Sequence, residues 1–374
     1  MSSSSSSSSS SLPSTPPSTS SLKLHPPLGI ASVSLGSCEH HRLEDKIRAA
    51  ALAGFASIEL FDLDWQRYRD EYARAHGYDL PCEEGGAASR AAARLLGDLC
   101  REEGIKISCW QPLRKFEGWV QPEDEQKARK YAKGVLDLLP ALGTDLVLCC
   151  TTSAPATETT ASLEKAASDL AWLADLAATY SPPIRVMYEA LSFATHRQRW
   201  QDAWAVVERA DRPNLGLCVD AFNTLAREWA DPYSSSGRRS DTVDQELERN
   251  MAELVSRVPG DKIYLYQVAD GRFMSPPMSP PQDPSVPRLR PWSRSHRLFP
   301  FEHAFGAYLP VSRFSDAVLA TGYTGPWSLE VFNDSLNDAS EAVPRKHAER
   351  GMKSLEQAVT QAYDRACLRD CEFT

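Results

Sequence analysis

The sequence predicts an α/β fold, a (β/α)8 TIM barrel preceded by an N-terminal tail. Eight short apolar runs alternate with eight longer amphipathic stretches from residue 28 onward. The apolar runs are nearly continuous, as in strands of a parallel sheet that is buried on both faces. Eight such units over about 345 residues fit a barrel with insertions. A doubly wound sheet would be the alternative, but no glycine-rich phosphate turn follows the first predicted strand.

The strands are predicted where β-branched, aromatic and other apolar residues cluster between polar turns. In chain order they are Ile30–Leu35, Ser57–Leu60, Ile105–Trp110, Asp145–Cys150, Ile184–Glu189, Leu215–Asp220, Ile263–Val268 and Pro326–Glu330.

The helices are predicted where apolar residues recur every three to four positions after each strand. In chain order they are Leu43–Ala53, Ala88–Arg101, Glu123–Leu142, Ser162–Tyr180, Arg197–Ala210, Glu246–Arg257, Val311–Thr321 and Pro344–Arg365. The first stops before Gly54 and the third before Gly143, because glycine is favoured just past the end of a helix.

Three insertions are expected, after strands two, six and seven. They cover residues 62–86, 221–245 and 269–310, and the last contains the tandem copies Met274-Ser275-Pro276-Pro277 and Met278-Ser279-Pro280-Pro281. A loop of that length is typical of a lid or a disordered segment. We expect its proline-rich first part to be disordered and residues 291–301 to fold over the barrel mouth.

The first 27 residues form a separate segment, since Met1 is followed by ten serines and a Ser/Thr/Pro mixture. They lack the apolar groups that would offset the entropy of ordering, so we predict a disordered tail over 1–27 and one barrel domain over 28–374. The tail has neither the apolar centre of a secretory signal nor the arginines of a mitochondrial presequence. We therefore expect a cytoplasmic protein.

The composition excludes several classes of protein. The 41 basic and 50 acidic residues give a net charge of −9, which argues against binding of nucleic acid. No apolar run approaches the roughly 20 residues that cross a bilayer. The nine cysteines are scattered and form no CxxC pair, which indicates free thiols in a reducing compartment. The choice between a monomer and a homo-oligomer stays open.

Polar side chains lie at the ends of four consecutive predicted strands, where a barrel carries its active site. Glu189, Asp220 and Glu330 end strands five, six and eight, and Gln267 lies on strand seven. Three carboxylates converging at one place would repel each other unless a cation lay between them. All-oxygen ligands select Mg²⁺ or Mn²⁺. A single such carboxylate more often caps a helix or pairs with an arginine, but four polar ends in a row favour a metal site.

Segments along most of the chain resemble one family. They are Tyr188-Glu189-Ala190-Leu191 with His196, Asp211-Arg212-Pro213, Gly216-Leu217-Cys218-Val219-Asp220, Gln111-Pro112-Leu113-Arg114 and Trp292-Ser293-Arg294. From residue 28 to residue 365 the chain is similar to the xylose-isomerase-like TIM barrel superfamily. Within it the resemblance is to the 3-dehydroshikimate dehydratases of quinate and shikimate catabolism.

The resemblance implies a hydro-lyase that removes water from 3-dehydroshikimate, its small-molecule substrate, to give protocatechuate. It implies a divalent cation (Mg²⁺, Mn²⁺ or Co²⁺) held by Glu189, Asp220, Gln267 and Glu330. In this chemistry a cation polarises the ketone and stabilises the enolate that forms when the neighbouring hydrogen is removed, and the β-hydroxyl then leaves.

The resemblance also suggests which residues move the proton. His196, on the loop after strand five, is the first candidate for the base, and Glu59, near the end of strand two, is the second. The chain departs from the family around both the base and strand six. Thr195 precedes His196 where relatives often have arginine, and Asn223 stands where relatives often carry histidine, which weakens any role for residue 223 as a ligand or proton carrier.

Arginines are expected to bind the carboxylate of the substrate. Arg114 and Arg294 lie in family-like segments of mouth loops and are the two candidates, with Gln111 as a further substrate contact. The other seven arginines between Arg272 and Arg350 are expected to be solvated.

Three alternatives remain open. A sugar or ketose isomerase or epimerase of the same superfamily would use a similar metal, although such enzymes more often place histidine at the position of Gln267. A DNA-repair nuclease of the superfamily needs several histidines, whereas none of the eight here lies on predicted strands five to eight. A barrel that binds a metabolite without turnover is the third, and the retained carboxylates argue against it.

Overall fold

The computed structural model describes residues 26–372, which form a closed barrel of eight parallel strands with a short two-stranded ribbon. The strands are β1 (Leu28–Ala31), β2 (Ser57–Phe61), β3 (Lys106–Leu113), β4 (Leu146–Cys150), β5 (Arg185–Glu189), β6 (Leu215–Asp220), β7 (Ile263–Val268), β8 (Asp270–Gly271), β9 (Arg297–Leu298) and β10 (Trp327–Leu329). Around the barrel the order is β1, β2, β3, β4, β5, β6, β7 and β10, and β10 pairs with β1 to close the ring. The predicted fold class is confirmed.

Helices connect the barrel strands. They are α1 (Leu43–Leu52), α2 (Asp62–Ala75), α3 (Ala87–Glu102), α4 (Pro122–Leu136), α5 (Leu139–Leu142), α6 (Leu163–Ala178), α7 (Trp200–Ala210), α8 (Ala221–Glu228), α9 (Val243–Arg257), α10 (Arg290–Ser295), α11 (Val311–Ala320) and α12 (Val343–Glu372). Gly54 and Gly143 follow α1 and α5 with φ of 92° and 75°, which confirms both glycine stop signals. No helix among residues 26–372 is long and apolar enough to span a membrane.

Two predicted elements are interrupted. The first strand ends at Ala31, and residues 32–35 form a 3-10 helix whose serine hydroxyls bond to other segments: Ser32 donates to Asp64 (2.6 Å), and Ser34 accepts from the Val331 amide (2.7 Å). The third predicted helix splits into α4 and α5 near Pro140, which has no N–H to continue a helical ladder.

The insertions contain regular structure that the sequence analysis did not predict. Helices α2 and α8 begin directly after β2 and β6. In the third insertion, β8 pairs with β9, and the proline-rich segment between β8 and α10 has no helix or strand. Its Met278 amide donates to the Pro232 carbonyl (3.0 Å), and the Tyr233 hydroxyl donates to the Arg288 carbonyl. These contacts give the segment a defined path where the sequence suggested disorder.

The predicted tail lies almost entirely outside the described residues, which begin at residue 26. The Trp327 amide donates to the Pro27 carbonyl (3.0 Å), which continues the pairing of β1 with β10 by one residue. The disorder of the tail and its boundary at residue 27 stay predictions.

A buried ion pair joins α1 to α2. The Lys46 Nζ atom donates to the Asp64 carboxylate and to the Gly36 carbonyl, both at 2.5 Å, and neither charged side chain is more than 2% exposed. Since Asp64 also accepts from Ser32, this network fixes the segment after β1 against the start of α2.

Thiols fill part of the barrel core. Cys109, Cys149, Cys150 and Cys218 lie on β3, β4 and β6 and are buried. All eight cysteines whose side chains the structure describes are free. Burial raises the pKa of each of these four core thiols, so they stay protonated and behave as small apolar side chains.

Candidate active site

Three buried carboxylates meet at the C-terminal ends of the strands. Glu189 ends β5, Asp220 ends β6 and Glu330 follows β10, and one oxygen of each lies within 4.8 Å of the others. The parallel register brings neighbouring strand ends to the same edge of the barrel. Asp220 at the end of β6, for example, pairs with Gln267 on β7. Burial and mutual repulsion raise the pKa of Glu189 and Glu330, so the ionised cluster needs positive charge nearby.

Arg297 supplies part of that charge. Its Nη1 atom donates to Asp220 Oδ2 (2.8 Å) and to Glu330 Oε2 (3.0 Å), and its side chain is 1% exposed. The expectation of a solvated arginine is therefore wrong here: β9 returns the chain across the strand ends and buries this guanidinium above the Phe222 ring. Three carboxylates and one guanidinium leave two negative charges.

Asn223 connects two of the carboxylates. Its Nδ2 donates to Glu189 Oε1 (2.9 Å) and to Asp220 Oδ2 (2.7 Å), and its Oδ1 accepts from the amide and hydroxyl of Ser192 (3.0 Å each). From the sequence we predict no role for Asn223. A signal was available, because Asp220 is the N-cap of α8 and a cap bonds to the residue three positions later.

The Gln267 amide is oriented by Glu59. Its Nε2 donates to Glu59 Oε2 (2.7 Å), while its Oε1 is buried and has no hydrogen-bond partner in the described part of the chain. Glu59 also accepts from Gln111 Nε2 (3.0 Å) and from the Ser328 hydroxyl. Burial, together with the charge of Glu330, raises the pKa of Glu59 to about 8.

These residues fit a hard divalent cation. All the candidate ligand atoms are oxygens, and the Gln267 Oε1 atom, which has no hydrogen-bond partner, is free to bind a metal ion. The two surplus negative charges of the cluster match a dication. The four side chains predicted as ligands would supply it: Glu189, Asp220, Gln267 and Glu330.

A cavity of ≈ 270 Å³ has both predicted carboxylate-binding arginines in its wall, together with Asp64 and Phe332. Arg114 forms a bidentate pair with Asp62 (2.7 and 2.6 Å). Arg294 stacks on Phe332, with its guanidinium 4.3 Å from the ring centre, and forms no hydrogen bond or ion pair with any residue from 26 to 368. Burial and the neighbouring arginines lower the pKa of Arg294 to about 10, so it is a cation at neutral pH, and Glu330 attracts it without forming an ion pair.

His196 lies on the loop after β5, and its Nε2 is 2.9 Å from the Thr159 hydroxyl. It is not among the residues that line this cavity. Burial and the charge of Arg197 lower its pKa, so the ring is neutral at neutral pH. The structure thus joins Gln111 to Glu59 by a hydrogen bond and places both arginines in the wall of one cavity, whose lining includes neither His196 nor the three carboxylates. The proton-transfer roles stay predictions.

Comparisons with known proteins show the family to which the chain belongs. Residues 47–358 match the family described as xylose isomerase-like TIM barrel. A 3-dehydroshikimate dehydratase of Neurospora crassa is 36% identical over 342 residues, which cover 89% of this chain and 93% of that protein. A 3-dehydroshikimate dehydratase of Pseudomonas aeruginosa is 34% identical over 87% of this chain, which spans only 40% of that longer protein.

A solved structure shares this fold. The xylose isomerase-like TIM barrel/4-hydroxyphenylpyruvate dioxygenase fusion protein superposes with a TM-score of 0.68 and 29% identity. The match covers 92% of this chain and 45% of the fusion protein, so the likeness concerns one part of that molecule.

Proposed function

Since this chain belongs to the xylose isomerase-like TIM barrel family, in the branch of the 3-dehydroshikimate dehydratases, we propose that it converts 3-dehydroshikimate to protocatechuate and water with a bound divalent cation. The observation that carries the proposal is the position of the carboxylate cluster. It lies at the strand ends, where Glu330 attracts both Arg114 and Arg294, in a chain 36% identical to a dehydratase along nearly the full length of both. The reaction is balanced: the C–H bond beside the ketone and the β C–OH bond break to release water, and a second ring proton then moves from carbon to the ketone oxygen as the ring becomes aromatic.

Glu189, Asp220, Gln267 and Glu330 would hold the cation, which is Mg²⁺, Mn²⁺ or Co²⁺ in this proposal. When bound, it would polarise the substrate ketone and acidify the adjacent ring hydrogen. The protein's own part is to keep these four side chains in place. Asn223 orients two carboxylates, and Glu59 turns the Gln267 oxygen away from itself by accepting its amide hydrogen.

The two cavity arginines orient the substrate by its carboxylate. Arg294 has the stronger claim, because it forms no ion pair or hydrogen bond with the described residues. Arg114 is held by Asp62, so its fork is prearranged but half neutralised.

For removal of the ring hydrogen we retain His196 as the first candidate and Glu59 as the second. The neutral ring of His196 can accept a proton, whereas both oxygens of Glu59 already accept hydrogen bonds. If His196 is the base, His196→Asn lowers kcat by about 10²–10⁴ with little change in KM. Glu59→Gln should then displace the Gln267 amide, which Glu59 orients, and so lower the affinity for the cation.

The test is an absorbance assay for protocatechuate. Protein stripped with EDTA is resupplied with Mg²⁺, Mn²⁺ or Co²⁺ and mixed with 3-dehydroshikimate. We expect product only with a cation, none from Glu189→Ala or Glu330→Ala, and normal activity from Glu349→Ala, which removes an exposed carboxylate from α12. Turnover of a ketohexose without turnover of 3-dehydroshikimate would replace the proposal by an epimerase. Binding of 3-dehydroshikimate without turnover would leave a metabolite-binding barrel.

We also propose that the enzyme acts in the cytoplasm. The eight described cysteines form no disulfide, which is expected in a reducing compartment. Fluorescence microscopy of a tagged full-length chain would test the location.

A further inference from the structure

A second cavity lies beside the candidate active site and has a different character. It has a volume of ≈ 420 Å³ and lies between α8, the loop after β5 and the proline-rich segment. Arg227, Arg239 and Arg288 line this arginine cleft, and Asp231 is its one acidic lining residue. The charged lining groups therefore leave two positive charges.

The three arginines are only partly neutralised. Arg288 pairs with Asp231 (3.2 Å). Arg239 donates to the Arg227 carbonyl (2.7 Å), a bond that fixes its position, and the carboxylate of Glu228, outside the lining, attracts both Arg227 and Arg239.

Arg227 is the most exceptional of the three. It forms no ion pair or side-chain hydrogen bond with any residue between 26 and 368, and its Nε atom is buried without a partner. Burial and the charges of Arg199 and Arg239 lower the pKa of Arg227, and the carboxylates of Glu228 and Asp202 offset only part of this effect. An unpaired, partly buried guanidinium next to other cations is unfavourable unless an anion joins it.

We propose that the arginine cleft binds a phosphorylated small molecule, with the phosphate dianion on Arg227 and Arg239. Two surplus positive charges match one dianion, and guanidinium forks fit phosphate oxygens. The volume exceeds what a bare phosphate needs and falls within the range of roughly 300–1,000 Å³ of small-molecule sites. The ligand is therefore an organic phosphate, and the rest of the molecule lies along the proline-rich segment.

The cleft shares two contacts with the candidate active site. Ser192 lines the cleft and donates to Asn223, which donates to Glu189 and Asp220. Phe193 also lines the cleft, and the Arg294 guanidinium lies 5.3 Å from its ring centre. A ligand in the cleft would contact Ser192 and Phe193, and through them it would act on the carboxylates and on Arg294. We infer that binding in the cleft changes the KM for 3-dehydroshikimate, a part of the inference that rests on the proposed function.

Calorimetric titration of the full-length protein with glycerol 3-phosphate tests the site without any reference to catalysis. We expect saturable binding that Arg227→Gln weakens by about tenfold or more, since a charged hydrogen-bond partner is lost. Arg294→Gln in the other cavity and Arg345→Gln, at an exposed position of α12, should change the affinity less than about twofold. Thermal melts check folding, and Arg227→Gln should melt no lower than the parent because an unpaired cation is removed.

Three outcomes would overturn the site. The first is the absence of saturable binding up to about 10 mM. The second is a loss of affinity in Arg294→Gln as large as that in Arg227→Gln, which would place the anion in the other cavity. The third is binding of inorganic phosphate as tight as that of glycerol 3-phosphate. The kinetic arm is separate. If the KM for 3-dehydroshikimate does not respond to glycerol 3-phosphate, the coupling is refuted and the site stands. If no variant or parent turns over 3-dehydroshikimate, the proposed function fails while the calorimetry still decides the site.

Discussion

Arg297→Met tests whether the carboxylate cluster depends on an internal cation. The arginine is 1% exposed and lies 2.8 and 3.0 Å from the oxygens of Asp220 and Glu330. Methionine keeps most of its apolar volume and removes the charge. The surplus negative charge of the cluster then rises from two to three, and we expect the cation-free protein to unfold more easily.

The size of the effect follows from the burial of the pair. Removing one partner of a buried ion pair costs about 3–5 kcal/mol, because the other charge stays behind uncompensated. At about 2.1 cal/mol/K per residue, a chain of this length unfolds with an entropy of about 0.8 kcal/mol/K, so Tm should fall by about 4–6 °C. A divalent cation should offset this deficit, since it meets three surplus charges instead of two.

The assay is a thermal melt in EDTA and in excess Mn²⁺. Arg350→Met is the matched control, since Arg350 also donates to two carboxylate oxygens, both of them on Glu302, but is 36% exposed. It should cost no more than about 1 kcal/mol. A Tm of Arg297→Met equal to that of the parent in EDTA, or a smaller rise on adding Mn²⁺ than the parent shows, would refute the argument.

Three further changes test other parts of the molecule. Arg294→Gln should raise the KM for 3-dehydroshikimate about tenfold with a smaller effect on kcat, because it removes the unpaired cation of the cavity; steady-state kinetics measure both, and an unchanged KM would contradict the assignment. Lys46→Met should lower the free energy of unfolding by about 3–5 kcal/mol, because Asp64 would stay buried without its partner. Urea denaturation measures this, with Lys353→Met, at an exposed position of α12, as a control that should change little. Burial lowers the pKa of His347 to about 4 from 6.5, so the unfolded chain takes up a proton first as pH falls. The stability that its neutral form contributes is complete above pH 6.5 and is lost toward pH 4. The free energy of unfolding should therefore fall by about 2.5 kcal/mol less between pH 7 and pH 4.5 in His347→Gln than in the parent. An equal fall in both proteins would show that another group titrates.

The barrel could be predicted because its strands are encoded locally. The runs Leu215–Asp220 and Ile263–Val268 are confirmed to their last residue, since a strand buried on both faces needs an unbroken apolar sequence. The 3-10 helix at residues 32–35 could not be predicted in this way. Its serines alternate with apolar residues as in a strand, and their partners Asp64 and Val331 are remote in sequence.

Part of the candidate site could likewise be predicted from local sequence, and part could not. Strand-end positions identified Glu189, Asp220 and Glu330, because topology alone gathers strand ends. The groups that set their charge and orientation come from elsewhere in the chain. Arg297 is 77 residues from Asp220, and the amide of Gln267 bonds to a carboxylate 208 residues away. No local pattern carries such contacts.

The thiols of the barrel core have a consequence for how opening of this protein can be timed. Alkylating reagents attack thiolates, and Cys109, Cys149, Cys150 and Cys218 are both out of reach and held protonated. They lie on three strands of one closed ring, so the ring must separate before a reagent reaches them. The moment at which these four sulfurs gain mass therefore records when the ring breaks, and the order in which they do so records where.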